Sequence, residues 1–406
     1  MKLPTIAATA QATVLGMSAC LLFVGCAGNS VPADQLTELQ QLFPVVETPD
    51  PTESILFWSD EQKKLGFQNI SLLLPTRELP ASKSPYALEE SADERLATLE
   101  YELENSNYSI ARFMSEQQVG GLLVLQGNRV RYEAYGLENT SESLWVSFSV
   151  AKSVTSMLLG AAIRDGYIKS VDESITNYLP EMKGSAFDQS SISDVLQMAS
   201  GVGWNEDYED PNSDVSRAGG LDGLELQRYL SALPRAHAPG EVFNYSTGET
   251  NLVGALVRAA IGDSLSSYAT TKIWQGFGME SDANWMLNTP DGVELGGCCI
   301  SATLRDYGRI GRFALAEMRG RGERAVLPEN WMADSITPSR GSSGYGYLWW
   351  LMDDTMFAAL GIFGQSIFID PQRDLVIVTH GAAQKAVSDT FGAHRLALVN
   401  AIRALY

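Results

Sequence analysis

The 406-residue chain reads as an α/β protein of the α+β kind: an antiparallel sheet flanked by helices, with a helical subdomain inserted between two hairpins. Two observations predict this. Apolar strand pairs separated by turn residues stand near the start of the main domain and near the C-terminus, and the sequence between them has mostly helical spacing. No internal repeat or low-complexity run suggests a solenoid or a disordered chain.

The first hairpin is Leu122-Leu123-Val124-Leu125, a turn at Gly127-Asn128, and an alternating return from Val130 to Tyr135. The closing hairpin runs through Ser366-Ile367-Phe368-Ile369, turns over Asp370-Pro371-Gln372-Arg373-Asp374, and returns as Leu375-Val376-Ile377-Val378. A final segment, about Asp389 to Leu405, has helical spacing. Upstream, residues 87–115 read as helical with Glu-rich exposed faces. Residues 55–85 carry Leu56-Phe57-Trp58, Ile70 and Leu72-Leu73-Leu74 between turn residues, as an extension packed on the main domain. The divisions are therefore 1–26 as leader, 27–105 as tether and extension, and 106–406 as main domain, with the helical subdomain at about 155–300.

Hydrophobic residues make up 45% and charged residues 19%, a globular balance. The formal charge is −20, which repels phosphate backbones and argues against a nucleic-acid partner. The leader has Lys2 and then an apolar stretch from Val14 to Val24, too short to span a bilayer but suited to a signal peptide core. It ends Phe23-Val24-Gly25-Cys26, which resembles the lipobox of bacterial lipoproteins, with Phe23 in place of the usual Leu. The expectation is lipidation at Cys26, membrane contact only through that anchor, and a place in the bacterial cell envelope facing the periplasm or outside. The alternative is a plain signal peptide cut nearby, for example after Ala27. Beyond the leader only Cys298 and Cys299 remain. Adjacent cysteines do not readily meet disulfide geometry, so no disulfide is expected, and with no nearby His the pair predicts no metal site.

A Ser hydroxyl needs a base to become a nucleophile. The chain has only His237, His380 and His394 and no Gly-x-Ser-x-Gly elbow, which leaves a His-based triad little support. Lys can serve instead. Ser149 stands at the head of a helical run, Val150 to Arg164, with Val150, Val154, Met157, Leu158, Ala161 and Ala162 on one stripe. Residues three apart share a face, so Ser149 and Lys152 project together. Burial would lower the Lys pKa from about 10 toward 7, at a cost of roughly 4 kcal/mol. The helix N-terminus favours developing negative charge at Ser149. The spacing alone is equally satisfied by a Ser N-cap with a solvated Lys one turn in.

A second element lies at Pro239-Gly240-Glu241-Val242-Phe243-Asn244-Tyr245-Ser246, before a helix over Asn251 to Ala260. A Tyr beside a Ser-Lys pair can carry the proton to a leaving group; otherwise Tyr245 is a packed loop aromatic. Ser246 and Glu249 have capping-box spacing, a structural role.

Ser149-x-x-Lys152, then Tyr245-Ser246, then a Gly-containing terminal strand is the order of the serine β-lactamase and penicillin-binding-protein superfamily. The wider wording resembles its class C and esterase-type branch, and within it the 6-aminohexanoate-dimer (nylon-oligomer) hydrolases. Ser147-Phe148-Ser149-Val150-Ala151-Lys152-Ser153, Tyr178-Leu179-Pro180 and Leu196-Gln197-Met198-Ala199-Ser200-Gly201 carry the resemblance. So do Trp204-Asn205-Glu206-Asp207-Tyr208, Tyr345-Gly346-Tyr347-Leu348-Trp349-Trp350 and Gly361-Ile362-Phe363-Gly364-Gln365. It covers about residue 55 to the end.

The resemblance implies a β-lactamase/transpeptidase-like fold and a cofactor-free serine hydrolase. Ser149 would attack a carbonyl to form an acyl-enzyme, Lys152 would take its proton, and Tyr245 would relay a proton to the leaving group and then help activate water. Tyr208 would close over substrate, or else hold the Trp204 segment. The oxyanion hole would use the backbone N–H of Ser149 and of Ile362, with Gln365 as the second donor if the motif is shifted to Gly364. Two departures bear on substrate. Ala359-Leu360-Gly361-Ile362 lacks the Lys or His that the family places in its third motif to recognise a substrate carboxylate, and Thr247 replaces a frequent Asn. Both favour a small-molecule ester or simple amide over a β-lactam. The competing readings are a β-lactamase or peptidoglycan-processing D-amino-acid peptidase, and a catalytically silent binding lipoprotein of the same fold.

Overall fold

In the computed structural model, the described residues are 54–406, apart from Asp222 and the side chain of Glu323. The leader, the tether and Cys26 lie outside them.

The apolar run near residue 120 forms β1 (Val119–Gln126), which turns through Gly127-Asn128 into β2 (Arg129–Tyr135). Near the C-terminus, β3 (Phe357–Leu360), β4 (Ser366–Asp370) and β5 (Leu375–Gly381) follow in antiparallel succession. β5 pairs antiparallel with β1, so the two hairpins meet in the middle of one seven-stranded sheet. Trp350–Leu351 closes the β3 edge, and Glu89–Glu90 runs parallel to β2 at the other.

Both faces of this sheet are covered, which explains why β1 is apolar throughout rather than alternating. Leu123 and Leu125 pack into a core with Tyr307, Ile310 and Phe313 of α3 (Leu304–Met318). Leu122 and Val124 point the other way, toward Phe113 and toward Leu398, Val399 and Ile402 of α4 (Asp389–Arg403). Gly311 lets α3 lie close to the sheet, since a Cβ there would fall 2.6 Å from a methyl of Val376. Between the hairpins stand α1 (Val150–Arg164) and α2 (Thr247–Ile261). An antiparallel sheet flanked by helices, with helices inserted between its hairpins, is therefore the architecture observed.

Four local expectations change. α1 is not amphipathic: every residue from Val150 to Ala162 is buried, because α2, the sheet and Trp331 enclose it on all sides. Residues 87–115 are not one helical region. Glu100–Leu103 and Ser106–Ser109 form a hairpin whose turn residues, Glu104 and Asn105, both have positive φ (52° and 59°). That is the turn geometry that suits strand twist. Tyr101 and Tyr108 stack across it while Glu100 and Glu102 point outward, so the acidic residues that suggested a helix face are one side of a ribbon. A second sheet, of Thr76–Leu79, Ala283–Met286, Ile300–Ala302 and Trp145–Val146, crosses the nominally helical region; its strands of two to four residues are too short to show a period. Finally, Cys298 and Cys299 are joined as a disulfide, against expectation, and the peptide between them is cis.

The two-faced burial of β1 sets its energetic weight. Leu123→Ala removes a fully buried side chain from the face packed against α3. It is expected to cost about 2–5 kcal/mol in urea unfolding, with an unchanged m-value.

Candidate active site

The short strand Trp145–Val146 leads into Phe148, whose φ of 45° turns the chain sharply into α1. Ser149 is the residue before the first helical turn, yet its side chain makes no capping bond. The hydroxyl is instead accepting a hydrogen bond from Lys152 Nζ at 3.0 Å. Lys152 is 1% exposed. The arrangement is thus neither a capping Ser nor a solvated Lys.

Lys152 Nζ also donates to Thr247 Oγ1 and to the Gly297 carbonyl, each at 2.9 Å. Three acceptors match the three N–H bonds of an ammonium group. Burial nevertheless disfavours the charge and brings the pKa down to about 8, with the nearby Glu206 charge working in the opposite direction. Two of the three partners come from segments far along the chain, which is what removes the amine from water.

Tyr245 stands two residues before α2. Its ring centroid lies 5.3 Å from Lys152 Nζ, and the Ser149 hydroxyl acts to lower its pKa. The ring stacks on Trp350 at 5.4 Å and meets Tyr345 edge-on at 6.0 Å, which fixes its plane. Burial, reinforced by the Glu206 charge, holds the phenol well above its ordinary pKa. α2 begins at Thr247, four residues earlier than the spacing suggested, because the Ser246 hydroxyl accepts from Glu249 N at 3.1 Å. Only that half of the expected capping box forms. The Glu249 carboxylate turns inward to accept from Ser200 Oγ at 2.6 Å, and burial pushes its pKa up to about 8.

Glu206 is the site residue that the sequence reading did not assign. Its carboxylate accepts from Tyr208 Oη at 2.7 Å, from Thr247 N at 2.9 Å, from the Thr247 hydroxyl and from the Trp204 indole N–H. Tyr208 is therefore tied into this network while also lining the cleft above Ser149. Burial and the Glu206 charge raise its pKa well above the ordinary value.

Ser149 opens into a cleft of about 500 Å³. Ile362 lines it beside Ser149, and among the described residues no protein acceptor takes either backbone N–H. Gly361 permits this approach: a Cβ there would lie 2.4 Å from the Ser147 carbonyl oxygen. Gln365 is fully buried away from the cleft, its side-chain carbonyl accepting from Gly381 N at 2.6 Å. Ile55, Leu56, Leu74, Met286 and Leu295 give the cleft an apolar wall continuous with Phe148 and Ile362. Arg217 is the one charged side chain among the described lining residues, and it comes from the helix Asp214–Ala218 rather than from the end of β3. Cys298 also faces the cleft.

The histidines stand elsewhere. His380 stacks on Trp145 inside the core, where burial lowers its pKa to about 3; His394 meets the Tyr101 hydroxyl at 2.8 Å; His237 is exposed. Among the described residues no group of three or more His, Cys, Asp and Glu is arranged to hold a metal ion.

Comparison with known proteins matches residues 109–401 to the Beta-lactamase family. The 6-aminohexanoate-dimer hydrolase of Paenarthrobacter ureafaciens is 28% identical over 343 residues, covering 77% of this chain and 83% of that protein. A solved structure of a Bacillus anthracis protein assigned to the 6-aminohexanoate-dimer hydrolases superposes with a TM-score of 0.76 at 18% identity, over 87% of this chain and 98% of the other. A class C beta-lactamase from Rhodobacter sphaeroides superposes with a TM-score of 0.54 at 15% identity, over 72% of this chain and 96% of its own.

The buried amine has a thermodynamic signature. Its folded pKa of about 8 lies below the ordinary 10.5, so between these values the unfolded chain binds more protons and stability rises with pH. Relative to Lys152→Met, the wild type is expected to gain about 3 kcal/mol between pH 7 and pH 10.5, read from paired urea unfolding curves.

Proposed function

The chain belongs to the Beta-lactamase family and is one of its serine hydrolases; on that premise we propose that it cleaves carboxylic ester or simple amide bonds through an acyl-enzyme on Ser149. The observation that carries this reading is the 3.0 Å contact between Ser149 Oγ and a buried Lys152 whose pKa stands near 8. A base poised near the working pH balances availability against proton affinity.

In this mechanism neutral Lys152 takes the Ser149 proton as Oγ bonds to the substrate carbonyl carbon, and the carbonyl π pair moves onto oxygen. The Ser149 and Ile362 N–H groups receive that oxyanion, helped by the positive end of α1. Tyr245, kept as a phenol by its burial, gives its proton to the departing alkoxide or amine and regains one from the Lys152 ammonium. Collapse of the tetrahedral centre breaks the bond to the leaving group. Water then attacks the acyl carbon, passes a proton through Tyr245 to Lys152, and Ser149 leaves with its own proton restored. Tyr208, at the cleft wall, closes over the bound substrate.

The cleft supports the substrate class. Its apolar wall beside Phe148 and Ile362 suits an uncharged acyl group, and among the described residues lining the cleft no cation comes from the end of β3 to hold a carboxylate there. The Paenarthrobacter relative is named for a small dimer, which supports a small-molecule substrate. The second reading is a β-lactamase or a peptidoglycan-processing peptidase, favoured by one observation, the Arg217 cation on the opposite segment. A silent binding protein is disfavoured by Lys152, since desolvating an amine serves no purpose in a passive pocket.

Wild type is expected to label with a fluorophosphonate and to hydrolyse p-nitrophenyl acetate, while Ser149→Ala does neither and loses at least about 10³-fold in kcat. Wild type no faster than the mutant overturns the reading; turnover of nitrocefin at a rate comparable to the ester favours the β-lactamase alternative. We also propose that the chain is anchored in the cell envelope through Cys26. Palmitate incorporation into wild type and its loss in Cys26→Ser is the expected result, and an unlabelled wild type excludes the anchor.

A further inference from the structure

We infer that Glu206, acting through the Thr247 hydroxyl, is a positioning residue that aims the Lys152 lone pair at Ser149. This rests on the reading of Lys152 as the base and adds the group that orients it.

The argument follows the direction of each hydrogen bond. An ionised carboxylate only accepts. Glu206 accepts from Trp204, Tyr208, Thr247 N and the Thr247 hydroxyl, and the last of these commits the only proton on Thr247 Oγ1. The threonine oxygen therefore has only lone pairs left to offer Lys152 Nζ, 2.9 Å away. The Gly297 carbonyl, also at 2.9 Å, can only accept as well. A neutral amine has two N–H bonds and one lone pair. With both N–H bonds taken by these two acceptors, the lone pair is left for the remaining neighbour, Ser149 Oγ at 3.0 Å.

Without Glu206 the Thr247 hydroxyl is free to rotate and donate to the amine. An O–H···N bond there occupies the lone pair and turns an N–H toward Ser149, which is the wrong polarity for deprotonation. Thr247 thus takes a one-way part that an amide side chain, carrying both donors and an acceptor, does not enforce.

Charge gives the same pair a second effect. Around Lys152 Nζ stand Ser149 just before α1, Tyr245 and Thr247 at the start of α2, the Gly297 carbonyl, and Glu206 with Tyr208 from the 204–208 loop. Tyr245 and Tyr208 are phenols held above their ordinary pKa, so Glu206 is the charge that favours the ammonium form. Removing it lowers the Lys152 pKa, and neutral Lys152 persists to lower pH.

The test compares wild type with Glu206→Gln, Thr247→Val and Thr247→Ser, using kcat and KM for p-nitrophenyl acetate, the pH profile of kcat/KM and the rate of fluorophosphonate labelling. Glu206→Gln and Thr247→Val are expected to lose about 10²-fold in kcat and in labelling rate, the scale of general-base catalysis, with KM within threefold. Thr247→Ser keeps the hydroxyl and is expected to stay within threefold of wild type. In Glu206→Gln the acidic limb of kcat/KM is expected to move to lower pH by about one unit despite the lower plateau, a shift that mere loosening of the fold does not produce. Should Glu206→Gln fail to fold, Thr247→Val against Thr247→Ser decides. Labelling at the wild-type rate in Thr247→Val, or an acidic limb that stays in place or rises in a folded Glu206→Gln, overturns the inference. A wild type that takes no label at all sinks the underlying Ser149 mechanism instead, so the two failures are distinct.

Discussion

Withdrawal of one primary amine from water organises this molecule. Lys152 lies at the head of a helix buried on every side, and its Nζ reaches three oxygens supplied by three different segments. Desolvation brings its pKa to about 8 at an energetic cost that the rest of the fold must carry. The core on one face of the sheet, shared with α2 and α3, bears it. α1 is held inside that core and not on its surface, because only an enclosed helix can keep an amine dry one turn from its N-terminus.

Each neighbour of the amine has a structural cause. Phe148, with its positive φ, swings Ser149 into line with the helix axis without spending its hydroxyl as a cap. Ser246 takes over the capping of α2, which leaves Thr247 free to face Lys152 and Tyr245 free to pack between Trp350 and Tyr345. Gly361 lets the end of β3 approach Ser147, so that Ile362 and Ser149 line the same cleft. The two ends of the sheet sequence thus complete one site, and the extension contributes Ile55, Leu56 and Leu74 to its apolar wall. These last residues precede residues 109–401, the segment that matches the family model.

Electrostatics in the site is layered. Burial drives Lys152 toward the neutral amine and keeps Tyr245 a phenol, as the proposed base and proton donor require. The Glu206 carboxylate opposes the first trend and reinforces the second. Its four donors fix it in place, and the proposed orienting role uses that rigidity: a carboxylate free to turn imposes no direction on Thr247.

Much of this was legible in the sequence where the physics is local. Hairpins show as turn residues between apolar runs, and Ser149 and Lys152 share a face because three residues nearly complete a helical turn. Tyr245 stands out through its motif as a candidate, and the α+β architecture through the strand pairs at the two ends. Illegible were contacts set by distant segments. The 100–109 ribbon passed for helix because its acidic residues alternate over only four positions. The Cys298–Cys299 bridge joins chain neighbours, a pairing that spacing does not suggest. Glu206 was passed over because its link to Lys152 runs through Thr247, 41 residues further on. The sequence by itself determined which residues are able to carry the chemistry and the order in which the chain presents them. Only the tertiary structure decided the protonation of Lys152, the direction of its hydrogen bonds and the shape of the cleft, because each depends on water being excluded by residues that meet only in the folded chain.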